Sequence, residues 1–146
     1  MGTLNPGRPH PRQGDDALLD AVARAALSYV WDFAHPRSGM VRERSAGDFG
    51  YDIARVVTTG GTGFGILALL SGAARGWLAR EDVAERLVKL ASFLAGTERH
   101  RGVFPHFMDG ETGATIPFMP MDDGGDLVET AFLIAGLLGA RQAFRE

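Results

Sequence analysis

The alternation of amphipathic and wholly apolar helices constrains the fold of this chain more than any other feature. Periodicity predicts amphipathic helices over residues 16–34 and 80–96, and apolar helices over residues 62–75 and from Leu127 to the last residue. An amphipathic helix is covered on one side, whereas a helix that is apolar all round is covered on every side. A simple four-helix bundle would give each helix one apolar stripe. The predicted fold is therefore all-α, with helical hairpins in two layers forming part of an α/α barrel; an irregular helical domain with two core helices is the alternative.

The amphipathic helices are recognised by apolar side chains at three- and four-residue steps. In the first helix these are Leu18, Val22, Ala25, Tyr29 and Phe33, and in the third they are Val83, Leu87, Leu90 and Leu94. His35 and Pro36 end the first helix, because the residue before a proline avoids helical geometry. Gly76 is a natural C-cap for the second helix.

Two long connections, residues 35–61 and 97–126, each lead from an amphipathic helix into an apolar one. Both are therefore expected at the end of the molecule where the apolar helices begin. Long loops in compact domains are usually functional, so this end is predicted to be the functional face. Within the later loop, residues 104–108 and 114–118 flank a turn of Asp and Gly residues, which predicts a small β-hairpin.

Composition narrows the possible partners. The formal charge of -3 argues against a nucleic-acid or anionic-membrane partner, since either needs a basic patch. The absence of cysteine excludes disulfides and thiolate metal sites, and neither a metal nor a cofactor is predicted. No segment reaches the ~20 apolar residues of a membrane span. Residues 1–15 are predicted to be a disordered lead-in without the apolar stretch of a secretory signal, and residues 16–146 form the helical domain.

The last helix reaches Arg145 and Glu146 with no glycine cap, proline or following loop. Two apolar helices need more partners than two amphipathic helices supply. The chain uses 146 residues for four helices, so a closed barrel of six hairpins would need roughly 400. We therefore expect the chain to hold about a third of such a fold, completed by a missing C-terminal part. A short protein that dimerises through the open flank is the alternative.

An acidic loop precedes the last helix and is the clearest candidate site. Asp122, Asp123 and Asp126 lie within five residues around Gly124 and Gly125. Such carboxylates repel each other, and proteins use similar clusters to bind a cation or sugar hydroxyls, or to hold one carboxyl protonated as an acid. The spacing does not fit an EF-hand calcium loop.

A structural role competes with the chemical one for part of this loop. Asp126 followed by Glu129 has the pattern of a capping box, in which Asp126 accepts from the helix N-terminus and Glu129 reaches back to the N–H of Asp126. No such role accounts for Asp122 and Asp123.

Two other segments are weaker candidates. Residues 58–65 are rich in glycine and open a helix after a strand-like run at residues 53–57, but the P-loop lysine and the dinucleotide spacing are missing. Close helix packing is the preferred interpretation of these glycines. Arg42 and Glu43 together can clamp sugar hydroxyls, although a solvated surface run fits equally well. Rings that could stack on sugars, or simply belong to the core, are Trp31, Phe49, Tyr51, Phe104, Phe107 and Phe118.

Several motifs, taken in order and spacing, resemble the bacterial glycoamylase-like domain of glycoside hydrolase family 144, whose characterised activity is endo-β-1,2-glucanase. The matching segments lie at residues 29–39, 42–45, 59–65, 105–113 and 122–131. The resemblance covers about residues 16–146 and implies an (α/α)6 barrel that hydrolyses glucan in a cleft at one end. It implies an oligo- or polysaccharide substrate and an exported protein, although this chain shows no signal.

The resemblance assigns the acidic loop to that cleft, with Asp122 and Asp126 as the catalytic carboxylates. Asp123, Glu129, Arg42, Glu43, His106 and Phe107 are then expected to bind substrate. One carboxyl acts as acid and the other as base or nucleophile. A carbohydrate-binding barrel piece without catalysis, or an inactive truncated product, is the alternative.

Overall fold

The computed structural model of the protein describes residues 13–45 and 54–145. Four helices dominate these residues: α1 (Gln13–Asp32), α2 (Thr59–Ala74), α3 (Arg80–Ala95) and α4 (Leu127–Ala143). Three short strands, β1 (Val56–Thr58), β2 (Phe107–Asp109) and β3 (Thr115–Ile116), form one antiparallel sheet in the order β1-β2-β3. The mostly helical fold is confirmed, and the predicted hairpin is present with β1 as an additional strand.

The first two helices begin earlier than the periodicity predicts. α1 starts at Gln13, so residues 13–15 are helical, whereas they were expected to belong to a disordered lead-in. Residues 1–12 lie outside the described residues. α2 starts at Thr59 rather than at residue 62, because the extended backbone of Thr58 passes directly from β1 into the helix. The first turn contains glycines, which have no side chain, so the apolar periodicity does not indicate that the helix begins there.

The sheet joins the two long loops. Val57 of β1 lies opposite Met108 of β2, and Met108 lies opposite Thr115 of β3. Val57 and Met108 are fully buried and belong to the hydrophobic core. The expectation that both loops lie at one end of the molecule is thereby confirmed.

The turn between β2 and β3 is held by one carboxylate. Asp109 Oδ1 accepts hydrogen bonds from the backbone N–H groups of Glu111 (2.8 Å) and Thr112 (3.0 Å). Gly113 then adopts a φ of 79°, a backbone conformation that favours glycine. The Asp and Gly residues of the turn therefore have the role that the hairpin prediction gave them.

Helices α2 and α4 pack side by side and run in the same direction. Near their N-termini Gly60 contacts Glu129, further along Gly63 contacts Leu133 and Gly136, and near their C-terminal ends Gly139 of α4 faces α2. A Cβ on Gly63 would lie 2.1 Å from the carbonyl oxygen of Phe132. The helix backbones therefore touch, which supports the packing interpretation of the glycine-rich segment.

The buried face of α1 differs from the predicted stripe. Leu18 and Val22 are mostly exposed and Ala25 is exposed, whereas Leu27, outside the predicted stripe, is 7% exposed. Leu27 packs where α2 carries Gly72, and the missing side chain there makes room for it. The side of α1 that is buried thus depends on the space beside Gly72 of α2. The spacing of apolar residues in α1 does not indicate this space.

The prediction that α2 and α4 are buried on all sides is wrong for the residues described. On α2, Phe64 and Leu67 are 57% and 41% exposed. On α4 the difference is larger. Leu133 and Gly136 are its buried residues, while Leu127, Ile134 and Leu138 are exposed. The helix is covered where it meets α2, and residues 13–45 and 54–145 leave its opposite face open. By contrast, the predicted stripe of α3 is buried as expected. Within the two described ranges, no helix meets the length and hydropathy that a membrane crossing requires.

Candidate functional site

The acidic loop lies between β3 and α4 and is fixed at both ends. At its start, Phe118 N–H donates to the Asp122 carbonyl (2.9 Å) and Asp122 N–H donates to the Met119 carbonyl (2.9 Å), which closes a tight turn. At its end, Asp126 N–H donates to the Phe104 carbonyl (2.8 Å). The loop therefore lies against the segment that enters β2.

Asp126 is the N-cap of α4, as the capping pattern predicted. Its Oδ1 accepts from the backbone N–H groups of Val128 (2.9 Å) and Glu129 (3.0 Å). Its Oδ2 lies 3.0 Å from Nδ1 of His106. The Glu129 N–H, then the hydrogen bonds with His106 and Val128, hold the pKa of Asp126 below its usual range against the opposing effect of burial. Both oxygens of this carboxylate are occupied.

Glu129 does not complete the capping box. Its Oε2 accepts from the backbone N–H of Gly60 (2.7 Å) and from the hydroxyl of Thr58 (3.3 Å), both at the start of α2. It cannot cap its own helix in the predicted way, because the N–H of Asp126 is already bonded to Phe104. The Thr58 side chain makes no cap hydrogen bond, so Glu129 caps α2 from the neighbouring helix.

Three rings meet beside the loop. The imidazole of His106 stacks on Phe118, with ring centroids 4.4 Å apart and planes 18° from parallel. Phe107 meets His106 edge-on, with a centroid distance of 4.5 Å. Half-buried rings of this kind offer apolar faces next to polar groups, as sugar-binding surfaces require.

Asp122 and Asp123 differ from Asp126. Asp122 is half-buried and Asp123 is exposed. Among residues 13–45 and 54–145, neither carboxylate makes a side-chain hydrogen bond or ion pair. Their oxygens are open to a ligand, whereas the oxygens of Asp126 hydrogen-bond to His106, Val128 and Glu129.

Arg42 and Glu43 lie along the outer edge of β1. Arg42 bridges to Val57, and the Glu43 N–H donates to the Val56 carbonyl (3.1 Å). The structure therefore brings them to the same end as the acidic loop. Their joint role as a sugar clamp stays a prediction.

The two side chains have separate partners. The Arg42 guanidinium lies 4.5 Å from the ring centroid of Phe33, while Arg44 donates two hydrogen bonds to the Glu43 carboxylate. Arg42 Nε is buried, and no described residue accepts its hydrogen bond. Two candidate stacking rings, Phe49 and Tyr51, lie outside the described residues.

The contact of Glu129 with Thr58 and Gly60 was not predicted from the sequence. The signal was the glycine at position 60, where a Cβ would lie 2.6 Å from the Glu129 Oε2 atom. In the part of the chain that the structure describes, no three His, Cys, Asp or Glu side chains form a group suited to a metal ion.

Comparison with known proteins identifies the class to which this fold and loop are related. The chain is 44% identical over 133 residues to an exo β-1,2-glucooligosaccharide sophorohydrolase (non-reducing end) of Parabacteroides distasonis, covering 90% of this chain and 18% of that protein. It matches the endo-β-1,2-glucanase of Chitinophaga pinensis, solved with sophorotriose and glucose, at a TM-score of 0.84 and 48% identity over 88% of this chain and 31% of that one.

A β-1,2-glucanase structure from Parabacteroides distasonis matches at a TM-score of 0.84 and 42% identity, over 96% of this chain and 19% of that one. No protein-family model matches the chain. The homologues of this chain are thus a sophorohydrolase, an endo-β-1,2-glucanase of glycoside hydrolase family 144 and a β-1,2-glucanase, which confirms the resemblance drawn from the motifs. The chain spans less than a third of the length of each of these relatives.

Proposed function

We propose that this chain provides the acidic-loop part of a glycoside hydrolase that acts on β-glucan, with β-1,2-linked glucan as its substrate. The observation that supports this most is the loop itself. Asp126 contacts the His106 ring, which stacks on Phe118, and the backbone of Asp122 is hydrogen-bonded to that of Phe118. Glu129 joins the starts of the two parallel helices α2 and α4. The relatives that share this chain's sequence at 42–48% identity are named for activity on β-1,2-glucans.

In this proposal the carboxyl groups of Asp122 and Asp126 have different roles in hydrolysis. Glycoside hydrolysis needs an acid at the glycosidic oxygen and a second carboxyl as base or nucleophile. Asp122, whose oxygens are open among the described residues, is our candidate for proton transfer. Asp126, with three hydrogen bonds and a lowered pKa, is the fixed anion of the pair. In an inverting reaction two such carboxyls stand about 6.5–9.5 Å apart to admit a water.

The remaining candidate residues bind sugar in this proposal. His106, Phe107 and Phe118 supply ring faces, and a pyranose ring packs its C–H groups on such faces. Asp123 is exposed in the same acidic loop and accepts from sugar hydroxyls. Glu129, Arg42 and Glu43 complete the polar lining.

We also propose that further helical hairpins of an (α/α)6 barrel cover the open faces of α1 and α4. An apolar groove of about 290 Å³ runs between α3 and α4, lined by residues that include Leu87, Val88, Leu137 and Phe144. Covering such a groove is favourable by about 25 cal/mol per Å² of apolar surface. A second copy of this chain would be the other occupant, and gel filtration with light scattering distinguishes a dimer from a monomer.

Cleavage is tested in a chimera. The matching segment of the Chitinophaga pinensis enzyme is replaced by this chain, and release of reducing ends from β-1,2-glucan is measured against β-1,3- and β-1,4-glucan. We expect cleavage of the β-1,2-linked polymer, reduced by about 10²-fold or more in D122N. The exposed Asp32, in the last turn of α1, supplies the matched control D32N, which should cleave normally.

Each outcome of this experiment is informative. A folded chimera that releases no reducing ends contradicts the hydrolase proposal. If the purified chain binds β-1,2-gluco-oligosaccharides in a titration but the chimera does not cleave, the chain is a non-catalytic carbohydrate-binding piece. Full activity in D122N would remove Asp122 from the catalytic pair.

A further inference from the structure

We infer that Asp126 holds the neutral His106 ring in the tautomer protonated at Nδ1, which leaves Nε2 as a hydrogen-bond acceptor for a sugar hydroxyl. The tautomer follows from contacts within the chain alone. The part that concerns the sugar rests on the proposed function.

The hydrogen bonds of the Asp126 carboxylate leave one arrangement for the imidazole. Oδ1 already accepts from two backbone N–H groups, those of Val128 and Glu129. Oδ2 lies 3.0 Å from Nδ1 of His106. An ionised carboxylate can only accept, so the hydrogen between these two atoms belongs to Nδ1. A carboxylate that fixes the tautomer of a histidine in this way also fixes the direction of its second nitrogen.

The ring cannot turn away from this arrangement easily. Phe118 stacks on its face and Phe107 contacts it edge-on. No residue within 13–45 and 54–145 hydrogen-bonds to Nε2 of His106. In that part of the chain Arg42 Nε is the buried side-chain nitrogen that lacks a partner, so the unpartnered Nε2 of His106 is not buried. Nε2 is therefore accessible to solvent, on the side of the ring opposite Asp126.

A neutral imidazole with Nδ1–H offers a lone pair at Nε2 to any incoming donor. Sugar hydroxyls are such donors, and the adjoining Phe118 ring offers a face for the same sugar. Beside its proposed part in the catalytic pair, Asp126 therefore acts as a positioning residue toward His106. The contacts that start α4 and orient His106 use different oxygens.

Two substitutions separate these functions, since Asn and Ser both serve as N-caps. In D126N the amide oxygen keeps the cap, while the amide N–H₂ group faces Nδ1 and donates to it. The ring proton must then move to Nε2. In D126S the cap remains and nothing faces the ring, so both tautomers are populated.

The readout is the ¹H–¹⁵N spectrum of the His106 side chain in the purified 146-residue chain, recorded at a pH above the titration of the ring. We expect the Nδ1–H form in the wild type, the Nε2–H form in D126N and a mixture in D126S. D122N, in the same loop but without a contact to His106, should keep the wild-type spectrum. An Nε2–H wild type, or a D126N spectrum that stays Nδ1–H, overturns the tautomer assignment.

The sugar part is tested separately by titration with a β-1,2-gluco-oligosaccharide. We expect the affinity of D126N to be lower by up to about tenfold, because Nε2–H no longer accepts from the sugar hydroxyl, which must reorient to accept instead. Unchanged affinity together with a switched tautomer would overturn the role of Nε2 toward sugar. A wild type that binds no glucan at all would instead count against the proposed function, while the spectra would still decide the tautomer.

Discussion

Helices α2 and α4 have 16 and 17 residues, and both are dominated by small and apolar side chains. α2 contributes eight buried residues, half of them glycine, and it contacts α1, α3 and α4. α4 contributes two, Leu133 and Gly136, and its extensive contact is with α2. The difference shows that the side chains of a helix decide what it can pack against, whereas its neighbours decide how much of it is covered.

The largest effect is expected where the two helices touch. In G63A the new Cβ would meet the Phe132 carbonyl, so the helices must separate, and we expect a loss of about 3 kcal/mol in the free energy of unfolding. The matched control is G139A, where the Cβ meets the far end of the flexible Leu67 side chain at 3.0 Å. Urea unfolding should show G139A close to wild type, and equal stability of both variants would contradict the backbone contact.

The next effect distinguishes the covered and open faces of α4. L133A removes a side chain that is 0% exposed, and we expect it to cost about 3 kcal/mol. L138A truncates the same residue type where it is 55% exposed, and we expect less than about 1 kcal/mol. Thermal unfolding compares the two; similar losses would mean that Leu138 is covered in solution.

A smaller effect concerns the polar end of α4. D126A removes the cap and should lower stability by about 1 kcal/mol, whereas D126N should lose only a few tenths. The pKa of Asp126 is depressed in the folded state, so the advantage of Asp over Asn is present above the unfolded pKa of about 3.9 and is lost as pH falls through the folded value. Denaturant unfolding across this range measures it, and a stability difference independent of pH would exclude the carboxylate as the cause.

The smallest effect on stability is expected for L138Q, within about 0.5 kcal/mol, because the side chain already faces solvent among the described residues. Light scattering shows whether the chain self-associates, and V88Q is the matched variant, since Val88 is also exposed (66%) but lines the α3–α4 groove, whereas Leu138 does not. Weaker self-association in V88Q but not in L138Q would identify a second copy as the occupant of the groove.

Local patterns predicted the parts of the structure that depend on near neighbours. The stripe of α3 and the Asp126 cap involve residues no more than a few positions apart. The predicted buried face of α1 was wrong. The helix contains many alanines, so more than one of its faces has the pattern of an apolar stripe, and the space beside Gly72 accommodates Leu27. Strand β1 has three residues, too few for an alternating pattern to identify its partner.

The candidate site was predictable in composition but not in its connections. Asp126 and Glu129 match one local motif, yet Glu129 turns to Gly60 because Phe104 already occupies the N–H that the motif needs. That competition arises only when the loops meet in three dimensions. The proposed catalytic roles of Asp122 and Asp126 stay predictions until the substitutions are measured.

The cap that Glu129 provides to α2 has a consequence for the order in which the chain folds. Starting a helix is its unfavourable step, and α2 lacks a side-chain cap of its own. The carboxylate that accepts from the Gly60 N–H of its first turn lies 69 residues later in the sequence, so this stabilisation comes only after a long loop has closed. We expect α2 and α4 to form together, late and cooperatively, and the acidic loop to take its shape in that same step.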